Sequence, residues 1–153
     1  MLGRKSKYEK RDYLKQFKIG KATYSESLIY EAYGGLQNDG IMLAVYYDVD
    51  AAKIIHQLDS WEKINDSPTI SSILKNVSSY FGLDFVIPEI ASGNFFLYDN
   101  SQHKELRSEA EMNTLLLHSE DVNFSLVVWD DEKHTIYICL LYTSPSPRDR
   151  SVS

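Results

Sequence analysis

The chain has 153 residues, 43% of them apolar and 12% aromatic, which is enough to bury one core and too few for several domains. Its single cysteine, Cys139, excludes an intrachain disulfide framework, and no apolar run approaches the roughly 18 residues of a membrane span. The net charge of −6 is unevenly divided: residues 1–18 hold seven Lys or Arg against Glu9 and Asp12, a net of +5, whereas residues 19–140 hold seven basic against nineteen acidic side chains, a net of −12.

A basic arm therefore precedes an acidic body. Arg4, Lys5, Lys7, Lys10, Arg11, Lys15 and Lys18 interleave with Tyr8, Tyr13 and Phe17. That pattern suits a solvated, partly helical lead-in that packs on the domain, or a segment that touches anionic lipid. The acidic body repels phosphate, so the expected partner is a basic protein or an anionic membrane surface rather than nucleic acid. No signal-peptide apolar region follows the basic start, so the chain reads as soluble as written, and as tethered only if an anchor precedes Met1.

In chain order, Leu28–Ala32 predicts a strand. Gly34, Gly35, Asn38, Asp39 and Gly40 make a reversal into a second strand cheap, because these residues tolerate positive φ. That strand is Ile41–Tyr47, apolar at every position and so expected to be central and covered on both sides. Asp50 is placed to cap a helix from Ala51 to Trp61, with Ile54, Ile55, Leu58 and Trp61 on its inner face. Trp61 is expected to close the core edge, its indole N–H finding a backbone acceptor, with a ligand-stacking role as the lesser alternative. Ser67-Pro68 opens a second helix whose stripe is Ile70, Ile73, Leu74, Val77 and Phe81, with Gly82 as its stop.

Beyond it, Phe85–Ile87 reads as a short extended piece that Pro88 confines to an edge or a connection, and Asn94–Tyr98 as a strand led in by Gly93. Residues 100–121 form a polar connection that is functional or mobile, or holds a short helix around Glu109–Leu117. Asn123–Trp129 is the clearest strand, with Phe124, Leu126 and Val128 facing one way. The turn Asp130–Lys133 then leads into His134–Ile138. The sum is an α+β domain: a mostly antiparallel sheet of about five strands with two helices on one face, in the order β-β-α-α-β-β-β.

The segments divide as a lead-in arm (1–20), a single domain (21–138) and a tail (139–153). The run from Cys139 through Leu140, Leu141, Tyr142, Thr143, Ser144, Pro145, Ser146, Pro147, Arg148, Asp149 and Arg150 to Ser151 resembles translated sequencing-adapter read-through. This resemblance implies a natural C-terminus near Ile138 and a Cys139 foreign to the protein. A second resemblance covers roughly residues 28–138. Gly34-Gly35 with Asn38-Asp39-Gly40, the helix ending in Trp61, Ile87-Pro88-Glu89-Ile90, Gly93 to Asp99 and Asn123 to Asp130 are similar to small uncharacterised proteins of Gram-positive bacteria. Those motifs are turn and core residues, so the resemblance implies fold rather than activity.

No catalytic, cofactor or metal site is expected. His56, His103, His118 and His134 fall in four segments without the spacing of a helical zinc site, and each reads as structural or exposed. His103 with Glu105 and Glu109 is the one weak metal candidate, and solvated side chains explain it as well. Asp48 and Asp50 could pair for acid–base work, but helix capping accounts for them. Gly34-Gly35 lacks the following Lys-Ser/Thr of a phosphate loop, and no serine sits in a nucleophile elbow. Two functions are thus expected ahead of an enzyme: a non-catalytic envelope- or membrane-surface-associated domain, or an acidic immunity- or antitoxin-like protein that binds a basic partner.

Overall fold

The computed structural model describes residues 4–5, 13–34, 39–64, 67–80, 87–117 and 123–142. One sheet organises them. Its strands are β1 (Arg4–Lys5), β2 (Glu26–Gly34), β3 (Asp39–Tyr47), β4 (Glu62–Lys63), β5 (Gly93–Asp99), β6 (Lys104–Leu106), β7 (Asn123–Asp130) and β8 (Thr135–Tyr142). They lie in the order β1-β2-β3-β8-β7-β5-β4, every pairing is antiparallel, and β6 shares the outer edge of β5 with β4. Four helices accompany them: α1 (Tyr13–Gln16), α2 (Ile55–Asp59), α3 (Pro68–Tyr80) and α4 (Glu109–Leu117).

The α+β class and the mostly antiparallel sheet are as the sequence predicts. The count of about five strands and the order β-β-α-α-β-β-β are not. The five long strands are β2, β3, β5, β7 and β8; β4 intervenes between the helices α2 and α3, and β6 and α4 between β5 and β7. Strands of two or three residues are too short to leave a period-2 pattern; β4 and β6 form because they cap the otherwise open edge of β5.

The helices also lie on both faces of the sheet instead of one. Along β3, Ile41, Leu43 and Val45 join a cluster with Ile70, Ile73, Leu74 and Val77 of α3 and Met112 of α4. The alternate residues Met42, Ala44 and Tyr46 join a second cluster with Tyr13 and Leu14 of α1, Leu58 of α2, and Trp61. Val127, Trp129, Ile136 and Ile138 repeat that alternation on β7 and β8. A central strand apolar at every position needs cover on each side, and here helices supply both.

Local chemistry explains the helix boundaries. Asp50 Oδ1 accepts the Ala52 N–H at 3.1 Å, as a cap should, but the segment starts as a 3-10 turn (Ala51–Lys53) before α2. Ile55 is 45% exposed, because neighbouring residues cannot share a helix face and Ile54 takes the inner position with Leu58 and Trp61. Ser67 Oγ accepts the Ile70 N–H at 3.3 Å and Pro68 opens α3. The expected stripe residues Ile70, Ile73, Leu74 and Val77 are buried; Phe81 and Gly82 lie outside the described residues, as do Gly35, Asn38 and the Phe85–Val86 part of the extended piece.

At α4, Ser108 and Glu111 form a reciprocal capping box: Ser108 Oγ accepts the Glu111 N–H at 3.2 Å, and Glu111 Oε1 accepts the Ser108 N–H at 3.2 Å. Lys104 Nζ, 2.9 Å from Glu111, and the Arg107 and Ser108 N–H groups hold this carboxyl at about 2, below its ordinary 4.5. A folded-state value below the unfolded one contributes stability above pH 4.5 that is lost as pH falls toward 2. The Arg107 and Ser108 amide resonances are therefore expected to titrate together with a midpoint of about 2, and to stay flat in Glu111→Gln.

Two hairpin turns share one design. Asp99 pairs with Lys104 and Asp130 with Thr135, leaving loops of equal length. Asp99 Oδ1 accepts the N–H groups of Ser101 and Gln102 at 2.9 and 3.3 Å; Asp130 Oδ1 accepts those of Glu132 and Lys133 at 3.0 and 3.2 Å. Each loop ends in a histidine of positive φ, His103 at 53° and His134 at 49°. The motif Asp-x-x-x-His, present twice, is a turn signature.

β8 runs past the boundary expected at Ile138. Cys139, Leu140 and Leu141 pair with Leu43, Met42 and Ile41 on one side and with Leu126, Ser125 and Phe124 on the other. Cys139 is fully buried, and burial pushes its thiol up to about 12, so it stays protonated and inert. Among the described residues no helix is long and apolar enough to cross a membrane.

Candidate functional site

Two regions of the surface gather polar groups. The first is the end of the sheet where β2 begins and β3 and β7 finish. The Asp50 N–H donates to Thr23 O at 3.1 Å, the Val49 N–H to His134 O at 2.8 Å, and the Asp131 N–H to Ser92 O at 3.0 Å, tying four loop segments together. Glu26, Asp48, Asp50, Asp131 and Glu132 are exposed there, with Lys53 and Lys133 as the nearby cations. Asp130, 1% exposed, is withdrawn into its turn.

Asp48 and Asp50 are engaged separately. Asp50 caps the 3-10 turn, while Asp48, at a φ of 56°, accepts a hydrogen bond from Ser25 Oγ across the strand end. The metal candidate also disperses: Glu105 pairs with Arg107 at 2.6 Å and Glu109 accepts from the Thr69 hydroxyl on α3, so neither turns to His103. His56 is exposed on α2, His103 and His134 serve their turns, and His118 lies outside the described residues. Among the described residues, no group of His, Cys, Asp and Glu is arranged to hold a metal ion.

The second region is a cleft of about 430 Å³ on the face covered by α1 and α2. Period-2 alternation turns Phe96 and Tyr98 of β5 onto this face, their rings stacked at 6.2 Å. Phe17, just beyond α1, meets Phe96 edge-on at 6.3 Å, and Trp61, just beyond α2, lies 6.2 Å from it. Around these rings the lining is largely amide and hydroxyl, from Gln16, Gln57, Ser60, Asn100 and Ser125.

At the cleft's margin one guanidinium bridges two carboxylates, a trio of net charge −1. Arg107 Nη1 donates to Glu62 Oε2 at 2.8 Å and to Ser60 O at 3.2 Å, while Nη2 meets Glu105 Oε2 at 2.6 Å. The hydrogen bond to Glu62, ahead of the charge of Glu105, raises the Arg107 pKa further. These contacts also lash β4 to β6 across the shared edge of β5.

Trp61 carries the unusual feature. Its ring is 5% exposed and packs in the core as expected, yet its indole N–H has no acceptor among the described residues. Trp129 makes the contrast, its N–H donating to Asp131 Oδ1 at 3.3 Å. A buried donor left unpaired costs about 1–3 kcal/mol, and the backbone acceptor expected for Trp61 is absent among the described residues. The sequence offers Trp61 as a ligand-stacking alternative, but not the cleft around it, since Phe17, Trp61, Phe96 and Tyr98 come from four separate segments. Compared with protein-family models, with curated proteins and with solved structures, the chain matches none.

Proposed function

We propose that this is a non-catalytic binding domain, of the immunity or antitoxin kind, which docks its acidic sheet end on a basic protein. The supporting observation is that Asp48, Asp50, Asp131 and Glu132 stand on loops bonded to one another beside Glu26 at the start of β2, within a body whose net charge is −12 over residues 19–140. Loops fixed by backbone hydrogen bonds present these carboxylates without further ordering on binding. Their field steers a cationic partner into encounter, and screening beyond about 8 Å at physiological salt makes that association salt-sensitive.

The test compares the full chain with a variant carrying Glu26→Gln, Asp48→Asn, Asp50→Asn, Asp131→Asn and Glu132→Gln, substitutions that keep each side chain's size. Association with a panel of purified basic proteins is expected to weaken steeply as salt rises and to be slowed at least tenfold in the variant. Equal association rates for the two chains would remove the acidic end from the function. A second reading rests on the +5 of residues 1–18, an arm suited to anionic headgroups. It expects the full chain to sediment with vesicles containing phosphatidylglycerol, and to lose this when the arm's cations are replaced by Gln.

A further inference from the structure

We propose that the cleft on the α1–α2 face binds a neutral, hydroxyl-bearing ring ligand, the chemistry of a saccharide. This reading is independent of the acidic end, which lies on other loops. The cleft's volume of about 430 Å³ lies within the roughly 300–1,000 Å³ usual for small-molecule sites. Three features narrow the ligand.

The wall formed by Phe17, Trp61, Phe96 and Tyr98 offers flat apolar faces, against which the C–H face of a sugar ring packs. The polar lining is mostly uncharged: Asn100 and Ser125 bond to each other and Ser60 Oγ donates to Gln57 O, while the Gln16 and Gln57 side-chain amides match hydroxyl groups as both donors and acceptors. The charges at the margin, Arg107 with Glu62 and Glu105, satisfy one another, so a phosphate or carboxylate would have to break a bidentate network to gain a partner. Lys18, exposed, is the remaining charge in the lining.

The Trp61 N–H reports on this wall. It is the one side-chain donor among the described residues that is buried and without an acceptor, it is closed to solvent, and a ligand that packs on the neighbouring rings shifts its resonance.

The experiment uses the full chain, whose two tryptophans give separate indole N–H resonances. Glucose, maltose, cellobiose and N,N′-diacetylchitobiose are titrated, with glucose 6-phosphate, glucuronate and uridine monophosphate as charged counterparts. At least one neutral sugar is expected to shift the Trp61 indole resonance saturably and leave that of Trp129 in place. Trp61→Phe keeps an aromatic wall of smaller area and is expected to bind severalfold more weakly, the loss of part of the packing surface. Gln57→Ala, on the surface of α2, is expected to weaken binding severalfold with an unchanged melting temperature, which keeps the test decisive if Trp61→Phe unfolds. The proposal is overturned if no neutral sugar moves the Trp61 signal, if a charged counterpart binds more tightly than every neutral sugar, or if Trp61→Phe folds and binds as the parent does.

Discussion

A chain ending at Ile138 is expected to be unfolded, whereas one ending at Tyr142 is expected to melt with the full-length protein. The four residues between these ends belong to β8, which lies between β3 and β7 in the middle of the sheet. Removing them strips Gly40–Leu43 and Asn123–Leu126 of their ladder partners. It also takes Cys139 and Leu141 from one core cluster and Leu140 from the other. Each buried apolar side chain is worth about 1.5–3 kcal/mol, and each buried backbone group left unpaired costs about 1–3. A handful of such losses exceeds the roughly 5–15 kcal/mol that holds a domain folded. Circular dichroism and one-dimensional proton spectra of the two truncations decide the matter. A cooperative melt by the shorter chain, near the parent midpoint, would show that the end of β8 is dispensable.

β8 runs to Tyr142, four residues beyond the boundary at Ile138 that the adapter resemblance implies. Where reading and structure agree, local chemistry is strong enough to survive tertiary context. Ser67-Pro68 caps α3 as read, a helix around Glu109–Leu117 is among the alternatives for its connection, and Phe124, Leu126 and Val128 face one core. Cys139, Leu140 and Leu141 continue the apolar run of Ile136 and Ile138. A strand's extent is fixed by the partners on either side, and β3 and β7 reach that far.

Face assignment failed for a related reason. A run apolar at every position, like Ile41–Tyr46, states that both sides are covered but not by what; only the sheet order sends α3 to one face and α2 to the other. His103 and His134 are structural or exposed as read, but the paired Asp-x-x-x-His turns that give them their role went unrecognised in the sequence. The cleft was the least accessible of all, because its rings come from β5 and from the segments just beyond α1 and α2.

Gly93→Ala is expected to lower stability by about 3 kcal/mol, the upper end for a side chain forced into filled space, and the melting temperature by ~10 °C. Gly93 opens β5 opposite Asp130, and a methyl group placed on its Cα would lie 1.8 Å from the carbonyl oxygen of Trp129 and 3.0 Å from its carbon. The obstacle is backbone in the next strand, which cannot rotate away as a side chain would. Accommodation therefore requires β5 to part from β7 at the Gly93–Asp130 and Asn94–Trp129 pairs, and the Asp131 N–H to loosen from Ser92 O. Because Phe96 follows on the same strand, the parting also carries away one ring of the cleft wall. Gly20→Ala is the control: its added carbon would meet Lys15 Cα at 3.2 Å and Lys15 Cβ at 3.3 Å, tight contacts on a short exposed helix that can shift by a few tenths of an ångström. Its cost is expected to stay below about 1 kcal/mol. Thermal melts of the two variants separate the cases, and a Gly93→Ala midpoint no lower than that of Gly20→Ala would mean that β5 and β7 are not as closely apposed at this end as the Gly93–Trp129 contact requires.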